Sequence, residues 1–366
     1  MQHSSHYQQL VWHSLVFAIL AVFVAMSVSC KNNRSEEPPV EEEEGPFYTN
    51  PVIANNCPDP SIIDNRARDG YFYVYSTRNG TNGTPTVVYL PVYRSKDLIN
   101  WEALGNAFGG LNRPEWVSES SLWAPDINYI NGKYVLYYAL GCWDEPDRSA
   151  SGVAYSDKPE GPFTDVGMLV DFETTGVANS IDPNFFDDGD HKYLFWGSFN
   201  TSTAKSGIWA IELSSDGLSI KEGAQKVNIA NSMEGTYIHK HGDWYYAFGS
   251  KGSCCSGAES TYHIVVGRSK NVLGPYVGPD GKQMTDGSFE NTILSGTTVF
   301  TGPGHNGEII TDDNGQDWMV YHSFCKINNY NGRCLVLDKV FWTKDGWPYF
   351  NLATPTPSGH GPVFKS

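Results

Sequence analysis

DINYINGKYVLYYA, residues 126–139, decides the fold. A short run from Asp126 to Ile130 meets Asn131-Gly132, the dipeptide that suits the positive φ angles of a two-residue hairpin turn, and an aromatic strand follows from Tyr134 to Ala139. The unit recurs. DPSIID (59–64) leads through Gly70 to YFYVYS (71–76), DPNFF (182–186) to YLFWGS (193–198), EGTYIH (234–239) to WYYAFG (244–249), and HNGEII (305–310) to WMVYHS (318–323). From Asp59 to Asp126, Asp182, Glu234 and His305 the starts lie 67, 56, 52 and 71 residues apart, the length of a four-stranded blade with its loops. Strings beginning at Val92, Val153 and Val265 repeat as further strands of the same unit. The chain is therefore expected to be all-β, a five-bladed β-propeller over residues 47–366, with the residue that opens each hairpin at one end of the central funnel.

Composition agrees. Of 366 residues 14% are aromatic, 37 are glycine and only 18% are charged, which argues against helical bundles, coiled coils and bulk disorder. A net charge of −16 with no cluster among the 25 Lys and Arg residues excludes nucleic acid as a partner. Residues 11–29, VWHSLVFAILAVFVAMSVS, form one apolar run followed by Cys30, and 1–29 reads as an export signal. Ser29 before Cys30 resembles a bacterial lipoprotein cleavage site, which implies a lipid on Cys30 and attachment to the outer membrane. Residues 30–46, holding six of the 41 acids in SEEPPVEEEEGP (35–46), read as a solvated tether. A monomer is expected.

Six further cysteines allow disulfides in an exported chain. Cys325 and Cys334 flank KINNYNGR, whose Asn331-Gly332 signals a turn, so a bridge across that hairpin is expected. Cys254 and Cys255 have no spacing that suggests a metal, and no compact Cys/His cluster favours zinc.

Acids repeating at one place in each blade have a bland explanation, since Asp before a hairpin caps turns through its side chain. Repetition in four blades argues for convergence instead. Like charges brought together must share protons or bind a cation, and two carboxyl groups across a polar funnel, one protonated and one ionised, are the working parts of a glycosidase. A lectin needs the surrounding aromatics and not the acids.

The strings PDPS (58–61), WAPD (123–126), SIDP (180–183) and EGT (234–236), in that order, resemble glycoside hydrolase family 43. GSCCSG (252–257), STYHIVVGRS (260–269), GPY (274–276), GPGHN (302–306) and DGWP (345–348) are similar to its endo-1,5-α-L-arabinanases. The resemblance implies an inverting hydrolase acting on plant cell-wall arabinan or arabino-oligosaccharides. Asp59 would be the general base, Glu234 the general acid, and Asp182 the group that raises the pKa of the acid. It further implies substrate contacts from Asp126, Asn179, Ser180 and Trp123, and a calcium ion at His305. Cys57-Pro58 stands where arabinanases often have Val-His, so an exo-acting arabinofuranosidase or β-xylosidase stays open, and a glycan-binding surface lipoprotein is the non-enzymatic alternative.

Overall fold

Asn131 and Gly132 take φ of 49° and 84°, and the register sets Ile130 against Lys133, the two-residue turn that the sequence predicts. The computed structural model describes residues 44–78, 88–199 and 207–365, so the export signal, Cys30 and most of the tether lie outside the described residues.

Five antiparallel sheets follow one another along the chain. Blade I holds the strands Ser61–Asp64, Phe72–Tyr75, Pro91–Ser95 and Glu102–Asn106, and blade II Ser121–Ile130, Lys133–Gly141, Ala150–Ser156 and Thr164–Val170. Blade III holds Asn184–Asp187, Lys192–Trp196, Ile208–Leu213 and Val227–Ala230, and blade IV Glu234–His241, Trp244–Lys251, His263–Ser269 and Thr292–Leu294. In blade V the inner strand is split into Phe300–Gly304 and Ile309–Thr311, and Asp317–Cys325, Arg333–Trp342 and Pro348–Tyr349 complete the sheet.

The aromatic second strands are what the blades bury against one another. Tyr75, Tyr138, Phe195, Tyr246, Phe248 and Tyr321 are fully buried, and the apolar residues fall into five clusters, each spanning two neighbouring blades. Burying such a side chain contributes about 1.5–3 kcal/mol, so the aromatic excess is mainly spent between sheets. Ring closure joins blade V to blade I. Phe47–Thr49 pairs with Ser358–His360, and Asn50 exchanges hydrogen bonds with the backbone of Leu337, so the start of the domain is sewn onto its last blade.

The expected bridge between Cys325 and Cys334 does not form, and both thiols are free and buried. Cys334 stands opposite Ser323, two residues short of Cys325, and the two thiols nevertheless lie within hydrogen-bond reach of each other. The disulfide in the structure joins the adjacent Cys254 and Cys255.

Candidate active site

At the mouth of each blade the chain bends through one residue with positive φ as it enters the inner strand. These are Asp59 (51°), Ala124 (43°), Asp182 (54°), Gly235 (59°) and His305 (47°). Four of the five are not glycine, and left-handed backbone costs such residues about 1–3 kcal/mol each, so the ring stores strain where side chains must converge. The ring is pinned from blade to blade. Ala124 N donates to Thr77 Oγ1 at 2.7 Å, Gly235 N to Asp182 Oδ2 at 3.0 Å, His305 N to Ser250 Oγ at 2.9 Å, and Asp59 N to His322 Nδ1 at 3.1 Å. The last bond crosses the seam between blades V and I.

This ring corrects the expectation that the acids open every blade at one place. The acids do not occupy one equivalent position: Asp59 and Asp182 are on the ring, Glu234 is one residue before it, and Asp126 is two residues beyond it. Asp126 instead belongs with Ser61 and Asn184, which fasten neighbouring inner strands deeper in the funnel: Ile127 N donates to Ser61 Oγ, Phe185 N to Asp126 Oδ2, and Ile238 N to Asn184 Oδ1. Its carboxyl is pushed up to about 6 by burial, against hydrogen bonds from Phe185, Asn128 and Asn184. Ser180 is fully buried, with its hydroxyl donating to Val177 O and accepting from Trp196 Nε1. Asn179 is buried, with Oδ1 lacking a protein partner. Trp123 is half-buried and lies flat over Gly141, where a Cβ would come within 1.8 Å of its ring.

Asp59, Asp182 and Glu234 are brought together. Asp59 Oδ1 accepts from Arg333 Nη1 at 2.9 Å and lies 3.3 Å from His305 Nδ1, and its Oδ2 accepts from Thr77 Oγ1 at 2.6 Å. Burial opposes its ionisation, but the charge of Arg333 comes first among the interactions that hold it well below the usual carboxylate range. Glu234 accepts from Ser198 Oγ at 2.6 Å and from Tyr262 OH at 3.0 Å, and it is pushed up by burial and then by the charge of Asp59. Asp182 is pushed far up by burial and then by the charges of Glu234 and Asp59. One buried carboxyl is thus held ionised while the Asp182–Glu234 pair retains a proton, the division of labour that acid–base catalysis needs.

Arg333, His322, Thr77, Ser198 and Tyr262 were not anticipated as site residues. The place of His322 shows only in the structure, where Thr77, Ser250 and His322 each accept from the ring backbone of the next blade.

His305 is the residue at which calcium was expected. Its Nδ1 faces Asp59, and among the described residues no group of three His, Cys, Asp or Glu side chains is arranged to hold a metal. A calcium ion takes six to eight oxygen ligands, so these residues do not fit a protein cage for it, and no step is routed through an ion.

A five-bladed propeller with a split set of buried carboxyls at its mouth defines a glycoside hydrolase. The chain belongs to family 43 of these enzymes: the model of the glycosyl hydrolases family 43 matches residues 48–348. An extracellular exo-α-(1→5)-L-arabinofuranosidase of Cellvibrio japonicus is 31% identical over 76% of this chain and 82% of its own. The extracellular endo-α-(1→5)-L-arabinanase 1 of Bacillus subtilis is 32% identical over 71% and 80%. Among solved structures, Cellvibrio cellulosa α-L-arabinanase complexed with arabinohexaose superposes with a TM-score of 0.70 at 28% identity, covering 81% of this chain and 96% of that one. The endo-arabinanase of Bacillus licheniformis gives 0.68 at 29% identity, covering 81% and 98%.

Proposed function

We propose that the protein is an exported endo-arabinanase that hydrolyses α-1,5-L-arabinofuranosidic bonds with inversion. The observation that carries the catalytic assignment is the opposed ionisation of Asp59 and the Asp182–Glu234 pair. Asp59, ionised and held by Arg333, draws the proton from water as general base. The Asp182–Glu234 pair retains one proton because a second ionisation there is costly, and Glu234 is the member that gives it to the leaving oxygen. The reading of Cys30 as a lipid-bearing outer-membrane anchor and of the enzyme as a monomer belongs to the same proposal.

Linear debranched arabinan tests the substrate and mode together. Oligosaccharides of several lengths should appear early, with the newly freed anomeric centre inverted by NMR. Release of arabinose alone from the outset favours the exo reading, which the Cellvibrio japonicus relative motivates. No release of any sugar overturns the function.

The pH profile has a definite shape. Activity requires Asp59 ionised, and its lowered pKa puts the acid limb of kcat/KM below the ordinary carboxylate range. It also requires a proton on the raised pair, which puts the alkaline limb above that range. A profile flat on its alkaline side to pH 9 would remove Glu234 as acid.

Calcium enters only as a hydrated ion held by the imidazole of His305. If it is present, EDTA dialysis lowers kcat and added calcium restores it. Unchanged kcat and Tm after dialysis remove the ion from the proposal.

A further inference from the structure

The loop between Trp244–Lys251 and His263–Ser269 carries a group that the acid–base chemistry does not use, the disulfide between Cys254 and Cys255. Both feet of this loop stand beside the acid. Ser250 is the register partner of Glu234, and Tyr262 donates its hydroxyl to Glu234 Oε1 at 3.0 Å. Between them the neck is pinched shut: Thr261 N and Tyr262 N both donate to Ser253 O, and Ser253 N donates to Thr261 Oγ1. Gly252, at φ 89°, passes so close that a Cβ there would lie 2.4 Å from Thr261 O, so only glycine closes the neck. The crown rests on blade V through Thr301 Oγ1, which donates to Gly257 O at 2.8 Å.

With its own hydrogen bonds holding the loop, the disulfide is left at the surface, Cys255 exposed and Cys254 half-buried. The flanking hydroxyls of Ser253 and Ser256 bond each other at 2.7 Å. Bridged neighbours form a small closed ring around one peptide bond, with few torsions free to move and a polarisable sulfur edge that is a poor hydrogen-bond partner. Such a ring is a rigid apolar plate, suited to the C–H face of a sugar and costing little ordering entropy when it binds.

We infer that the Cys254–Cys255 disulfide is a binding plate for the leaving-group side of a furanoside chain. Glu234 protonates the leaving oxygen, so a loop built on Glu234 stands over the units that depart. This rests on the glycosidase reading above.

Binding of arabinohexaose to the Glu234→Gln protein, measured calorimetrically with and without the double substitution Cys254→Ser/Cys255→Ser, tests it. Loss of the plate should weaken Kd about tenfold, the effect of burying a modest apolar face. In the active enzyme KM for arabinohexaose should rise about tenfold with kcat within about twofold. Reducing the folded enzyme with a phosphine should give the same shift, which covers failure of the double variant to fold. Equal Kd in both forms overturns the inference, as does a loss carried by kcat or a displaced alkaline limb, since those report Tyr262 loosened from Glu234. Absence of binding in the disulfide-intact form overturns the substrate reading itself.

Discussion

Glu234→Gln should lower kcat on linear arabinan by about 10³–10⁴-fold, while an aryl arabinofuranoside, whose leaving oxygen needs little protonation, should lose far less. Asp59→Asn should lose about 10⁴-fold on both substrates, because activating water does not depend on what departs. Steady-state kinetics on the two substrates separate the roles, and an equal loss on both for Glu234→Gln would deny it the part of acid. The two variants should also differ in stability. The Glu234 charge is disfavoured by burial and then by Asp59, so an amide there should leave Tm unchanged or raised. The Asp59 charge faces Arg333 at 2.9 Å with both side chains largely buried, so Asp59→Asn should cost about 2 kcal/mol. Thermal melts of the two proteins decide this.

The repeated hairpins made the fold legible, because period-two aromatic strands and the Asn131-Gly132 turn are local features. Asp59, Asp182 and Glu234 were legible as acids at repeated mouths. Their exact setting was not, since it depends on backbone register: in WAPD the residue on the strained ring is Ala124, and Asp126 falls two places deeper into a row that ties blade II to blade III. Arg333 and His322 reach Asp59 from 274 and 263 residues away along the chain, across the seam that closes the propeller. No local spacing encodes that meeting.

Arg333→Met carries the second large effect, and it acts through Asp59. Burial raises the pKa of Asp59, and the Arg333 charge is the first of the interactions that bring it below the usual range. Without that charge the Asp59 pKa rises, so the acid limb of kcat/KM should move to higher pH, and activity at pH 5 should fall more than at pH 7. Stability follows by linkage. In the native enzyme a depressed carboxylate contributes stability that is fully present above the unfolded value of about 3.9 and is lost as pH falls through the folded pKa. The Met variant loses that contribution, and breaking a buried pair by removing one partner costs about 3 kcal/mol. The deficit should therefore be full at pH 7 and should shrink as acid protonates Asp59, which then no longer needs a cation. Denaturant melts of both proteins at pH 7 and pH 4 measure it. A deficit that is the same at both pH values would mean that Arg333 supports the seam by packing alone.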